Sequence, residues 1–237
     1  MERRQGSVSQ VSTGGAMVPR LFPVVGMIFV AFLLISNTIA VKIVEIWGFF
    51  LPAGILCFPV TYIFGDILTE VYGFRRSRLV IWTGFLCLLF MSLFYWGSTL
   101  LTPAPFWEAQ ESYARFFRLS PRIALASFIA YLVGEFSNSI VLSRMKILFR
   151  GRHLWMRTIG STIVGEGIDS VIFNFSAFAG VFHLREVAYI ALSGYVLKVA
   201  YEIVATPLTY AAVSFLKKFE GVDHYDHGIR YNPIGLD

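Results

Sequence analysis

Six apolar runs separated by short polar joints account for most of this chain: about Leu21–Val41, Leu51–Gly73, Leu79–Leu100, Arg122–Arg144, Ile159–Phe182 and Val187–Leu216. Each reaches the roughly 20 residues that a helix needs to cross a bilayer. The pattern therefore predicts an all-α polytopic membrane protein with six transmembrane helices filling one domain, residues 21–218. The third run (LVIWTGFLCLLFMSLFYWGSTL) holds almost nothing polar and reads as a lipid-facing wall. Between the third and fourth runs, Thr102–Pro121 carries Pro103, Pro105 and Trp107, which suits an interfacial segment. Residues 1–20 read as a disordered N-terminal tail, polar and Gly/Ser-rich to residue 18. The run after Arg20 is too long for a signal-peptide core and is expected to be a retained first span. Residues 219–237 read as a polar, aqueous C-terminal tail. No repeat of fixed period is visible.

Inside these runs the apolar pattern is broken at helical spacing. Asp66 and Glu70 stand four residues apart, with Tyr62 one turn earlier, so the three share a face. The fourth run brings Tyr131, Glu135 and Asn138, the fifth Glu166, Asp169 and Asn174, the sixth Lys198 and Glu202, and the first an amide, Asn37. A charge in a span costs roughly 2.5–3.5 kcal/mol on insertion scales, so such residues face an interior rather than lipid. Polar residues also glue helices together, and any one of these could do only that. Four helices repeating the pattern point instead to a shared polar cavity.

Six carboxyls in that set (Asp66, Glu70, Glu135, Glu166, Asp169, Glu202) face one lysine. Lys198 is expected to pair with Glu202 or Asp169; the remaining acids need water, a cation or a cationic ligand. With Tyr62, Tyr131, Phe173, Tyr195 and Tyr201 nearby, the residues describe a site for a small polar solute, flat or cationic.

Charge adds orientation. The chain of 237 residues has a net charge of +5, yet the basic residues lie in loops between runs. Arg75, Arg76 and Arg78 follow the second run; Arg144, Lys146, Arg150, Arg152 and Arg157 follow the fourth; Lys217 and Lys218 close the sixth. Orientation follows these loops, so both termini are expected on the cytoplasmic side, and the charge reports topology rather than a nucleic-acid partner. Cys57 and Cys87 lie in apolar runs and read as small buried hydrophobes. A lipid-facing wall and a dimer face use the same residues, which leaves a homo-oligomer open.

The chain has no G-x-x-x-x-G-K-[ST] loop, no G-x-S-x-G elbow and no H-E-x-x-H pair. Asp223, His224, Asp226 and His227 have metal-ligand chemistry, but a solvated tail is the plainer reading. No nucleophile or cofactor motif stands beside the carboxyls, so the expectation is a non-enzyme without cofactors.

Several pieces, in order, resemble the queuosine-precursor transporter family, also called the vitamin uptake transporter family. They are Ser36-Asn37; Phe58-Pro59 with Asp66 and Glu70-Val71-Tyr72-Gly73; and Ala126-Ser127-Phe128-Ile129-Ala130-Tyr131 with Gly134-Glu135. Ser161-Thr162 with Asp169-Ser170, Lys198 with Pro207, and the tail Asp223, Tyr225-Asp226, Tyr231-Asn232-Pro233 complete the set. The resemblance implies import of 7-cyano- or 7-aminomethyl-7-deazaguanine across a bacterial inner membrane, for tRNA modification. It also implies a six-helix fold similar to the substrate-binding component of energy-coupling-factor transporters. The alternative is a binding subunit for a vitamin-like small molecule, driven by a separate ATPase complex. Family members differ at the positions of Glu70, Glu135, Glu166 and Glu202. The family's site therefore carries over most directly to Asn37, Asp66, Asp169 and Lys198.

Overall fold

A computed structural model describes residues 19–40, 42–46, 48–117 and 121–234. The expected disordered tail, residues 1–18, lies outside the described residues. Seven α-helices and one hairpin follow in order: α1 (Phe22–Ile39), β1 (Ile43–Ile46), β2 (Phe49–Pro52), α2 (Phe58–Tyr72), α3 (Phe74–Ser98), α4 (Gln110–Phe117), α5 (Pro121–Leu148), α6 (Leu154–Phe178) and α7 (Leu184–Glu220). Four helices, α1, α3, α5 and α7, are long and apolar enough to cross a membrane. The chain is thus a helical protein of multi-pass character.

The second run departs from expectation. Its first residues do not extend the helix: β1 and β2 pair antiparallel, Ile43 opposite Pro52 and Ile46 opposite Phe49, and Ala53–Leu56 form a 3-10 turn. Gly48 turns the hairpin at a φ of +81°, a conformation that glycine adopts without a Cβ clash. The helix starts only at Phe58, with proline in its first turn, where the missing N–H has no intrahelical partner to lose. At 15 residues α2 spans about 22 Å, short of a hydrocarbon core about 30 Å thick.

What α2 lacks in length it makes up in burial. It packs against α1, α3, α5 and α7, and every residue from Gly65 to Phe74 is buried. Ile63, Ile67, Leu68 and Val71 join Phe29 and Leu33 of α1, Ile81 and Leu88 of α3 and Val213 of α7 in the apolar core. The charged face of α2 is therefore enclosed on several sides.

On α3, Leu86, Phe90, Phe94 and Trp96 are exposed, whereas Ile81, Gly84 and Leu88 turn inward. Short α4 folds onto the end of α3, where Phe117 lies 4.5 Å from the Tyr95 ring and Tyr113 meets Ser98 at 2.8 Å. Helix α7 runs for 37 residues. Pro207 sits within it and removes the amide that the Ile203 carbonyl would accept.

The C-terminal segment corrects a second expectation. It is not a free aqueous tail. Asp226 is buried; its Oδ2 accepts from the Phe74 amide at 2.8 Å, capping α3, and from Ser143 at 2.5 Å. Tyr231 packs edge-on against Phe74, Arg78 donates to the Asn232 carbonyl at 2.8 Å, and Trp82 donates to that of Pro233 at 2.7 Å. The tail is a strap across the ends of α2, α3, α5 and α7.

Candidate functional site

The site depends on how closely α5 and α6 approach. A Cβ on Gly134 would lie 2.9 Å from Cβ of Asp169 and 3.3 Å from the Gly165 carbonyl. One on Gly165 would lie 2.7 Å from Cβ of Asn138 and 3.0 Å from the Gly134 carbonyl. The two glycines face each other across the crossing, and only their missing side chains let the backbones touch. That contact sets Glu135 and Asn138 of α5 beside Glu166 and Asp169 of α6.

Lys198 of α7 reaches across, 2.8 Å from Glu166 and 2.9 Å from Asp169. Of the two expected partners, Asp169 is found; the second acid is Glu166, not Glu202. The Tyr62 hydroxyl hydrogen-bonds to Glu166. Asn138 donates from Nδ2 to Oδ1 of Asp66 at 2.9 Å. Glu135 interacts electrostatically with Glu166, Asp169 and Lys198, and its carboxyl stands beside Gly65 of α2. Glu202 interacts with Glu166 and Asp66. Thus Tyr62, Asp66, Glu135, Asn138, Glu166, Asp169, Lys198 and Glu202 form one cluster, built by α2, α5, α6 and α7 near their midpoints.

This cluster has more acceptors than donors. Five carboxyls share one ammonium. Oδ2 of Asp66, Oε1 of Glu202 and Oδ1 of Asn138 are buried without a hydrogen-bond partner among the described residues. Each such atom costs about 1–3 kcal/mol while it stays unpaired, and more if charged. A ligand offering N–H donors or positive charge would satisfy them.

The other four expected site residues stand apart. Glu70, fully buried, is bonded through both carboxyl oxygens to Arg157, and its Oε1 accepts from Lys217 at 2.6 Å. Lys146 lies 3.7 Å from the same carboxyl and donates to the Glu70 carbonyl at 2.5 Å. Lys146 and Lys217 also bind Asp223 of the strap, at 2.5 and 2.9 Å. Glu70 therefore belongs to a matched ion network at the end of the bundle that the strap covers. Tyr131 spends its hydroxyl on the Ile81 carbonyl at 3.1 Å, and Asn174 its amide on the Ser170 carbonyl at 2.8 Å. Asn37 donates to the Leu33 carbonyl of its own helix and borders a separate, mainly apolar cavity of about 500 Å³ with Tyr95, Trp96, Phe117 and Phe128. Tyr201, expected to help stack a ring, faces outward.

Sequence reasoning missed Arg157 and Lys146. The sequence sets both in a basic loop after the fourth run, yet both are buried on helices. One signal could have found them: a carboxylate buried as deeply as Glu70 demands cations, and the basic residues nearest in depth lie at the ends of the fourth and fifth runs. In the strap, outside any span, burial raises the Asp223 pKa, but its hydrogen bonds from Lys146 and Lys217 outweigh that and hold the carboxyl below the usual range.

Residues 52–212 match the family described as "putative vitamin uptake transporter". The chain belongs to this family. It is 31% identical over 186 residues to the "probable queuosine precursor transporter" of Bacillus subtilis strain 168, covering 78% of this chain and 81% of that one. It is 30% identical over 177 residues to the "queuosine precursor transporter" of Escherichia coli K12, covering 71% and 75%. A third family member, from Haemophilus influenzae, is 30% identical over 125 residues, about half of each chain. No solved structure matches.

Proposed function

We propose that this family member transports queuosine precursors, taking the 7-deazaguanine base itself, with a 7-cyano or 7-aminomethyl group, into the central acid cluster. In this reading α2 and α6 cross the bacterial inner membrane with α1, α3, α5 and α7, giving six crossings and cytoplasmic termini. Basic residues near the ends of α2, α5 and α7 support that orientation.

The observation that carries the proposal is the set of unpaired buried acceptors at Asp66, Asn138 and Glu202 beside a single Lys198. A guanine-like edge presents a row of N–H donors, and carboxylates and amides read such edges by hydrogen bonding. Tyr62 is the buried aromatic ring in position to pack on the base. Lys198 holds Glu166 and Asp169 in place, leaving Asp66 and Glu202 to meet the ligand. The enclosed cluster lets the ligand exchange with it only when helices part, which is what alternating access requires.

Uptake of each labelled base into cells lacking their own transporter tests the proposal. Saturable uptake is expected with the intact protein and its loss with Asp169→Ala at equal membrane abundance. Uptake left intact by Asp169→Ala, with no thermal shift of the purified protein by either base, overturns it.

A further inference from the structure

At the strap end of the bundle, the first turn of α3 and the strap enclose a small concavity of about 210 Å³, lined by Arg75, Arg78, Gly228, Ile229 and Arg230. Three of the five are arginines, and no carboxyl is among the described lining residues. The strap-end lysines are used differently: Lys146 and Lys217 are matched by Glu70 and Asp223. Arg75 and Arg230 are exposed and take part in no ion pair among the described residues, while Arg78 is buried and anchors the Asn232 carbonyl. The first turn of α3 carries no acidic residue, so the positive end of its helix dipole adds to the field. Asp226 of the strap commits its Oδ2 to the Phe74 amide and Ser143.

We propose that Arg75, Arg78 and Arg230 form a binding site for a phosphate group, separate from the central cluster and independent of what that cluster carries. Guanidinium groups match phosphate oxygens in fork geometry, and three around one concavity suit a dianion or a phosphodiester. The phosphate could belong to an anionic phospholipid headgroup in the adjoining leaflet or to a soluble phosphate compound; the chemistry is shared. Because Arg230 lies on the strap and Arg75 on α3, the bound anion would staple one to the other.

Thermal unfolding of the purified full-length protein in a neutral detergent tests this with two probes. Inorganic phosphate is titrated against chloride at equal ionic strength, and phosphatidylglycerol is compared with phosphatidylcholine in nanodiscs. A specific ligand at ten times its dissociation constant raises the midpoint by about 3 °C. The double variant Arg75→Gln/Arg230→Gln is expected to abolish the rise, and Arg185→Gln, an exposed control elsewhere, to keep it. Each single substitution is expected to weaken the response, so the result does not hang on the double variant alone. A response to phosphate alone assigns a soluble ligand; a response to phosphatidylglycerol alone assigns the headgroup. No response to either probe, or one unchanged in the double variant, overturns the site.

Discussion

At the strap end of the bundle Glu70 meets Arg157, Lys217 and Lys146, whereas at its middle Asp66, Glu135, Glu166, Asp169 and Glu202 share Lys198. Both groups are buried, and both were drawn from the same sequence pattern of acids in apolar helices. Matching separates them. The strap-end network gives each charge a partner and ties four helices to the strap, so it serves architecture. The middle cluster keeps acceptors in reserve, which stabilises nothing by itself and is what the proposed ligand would use.

Breaking the strap-end network should produce the largest effect. Arg157→Met leaves Glu70 buried with weaker compensation, and removing one partner of a buried ion pair costs about 3–5 kcal/mol. Denaturation in detergent is expected to show that loss, together with lower membrane abundance. If Arg157→Met stays as stable as the parent protein, the architectural reading of this end fails.

The α5–α6 crossing comes next. Gly165→Ala puts a methyl group 2.7 Å from Cβ of Asn138, and overpacking of this kind costs about 1–3 kcal/mol. Uptake should fall more than tenfold, because Asn138 and Asp169 move with their helices. Unchanged uptake would show that the cluster tolerates a looser crossing.

At the middle the sign of the stability change should reverse. Asp66→Asn keeps the shape of an acid whose Oδ2 has no partner, so unfolding stability should hold within about 1 kcal/mol or rise, while uptake is lost. A large loss of stability would make Asp66 a structural residue like Glu70 and erase the contrast between the two groups.

The smallest effect concerns acid pH. The folded pKa of Asp223 is lowered, so its contribution is present above its unfolded value, 3.8, and is lost as pH falls through the folded value. Its side chain is 42% exposed, so screening keeps the effect small. The unfolding midpoint should therefore drop less between pH 6 and pH 3 in Asp223→Asn than in the parent protein. Equal drops would remove Asp223 from the strap's attachment.

Much of the site was legible because charge in an apolar helix is costly wherever it occurs, and helical spacing fixes which charges share a face. Eight of the expected residues, from Tyr62 to Glu202, meet as that logic requires. What spacing could not tell was depth along the bundle. Asp66 and Glu70 lie one turn apart on α2, yet that turn moves Glu70 into reach of Arg157 and Lys217, residues 87 and 147 positions away in the chain. The hairpin before α2 was hidden for a related reason: Ile, Val, Phe and Leu suit a buried strand and a membrane helix equally. The strap was misread because its residues are polar, and polarity predicts water unless the partners are known. Asp226 finds its partners on α3 and α5, where no local pattern announces them.

The strap also fixes the order of events during synthesis. Glu70 leaves the ribosome long before Arg157, Lys217 and Asp223, and the Pro233 carbonyl that receives Trp82 follows later still. A nascent chain can set down its helices one after another, but it holds Glu70 without its cations until α6 and α7 have been made, and it closes over that end only when the strap has followed α7.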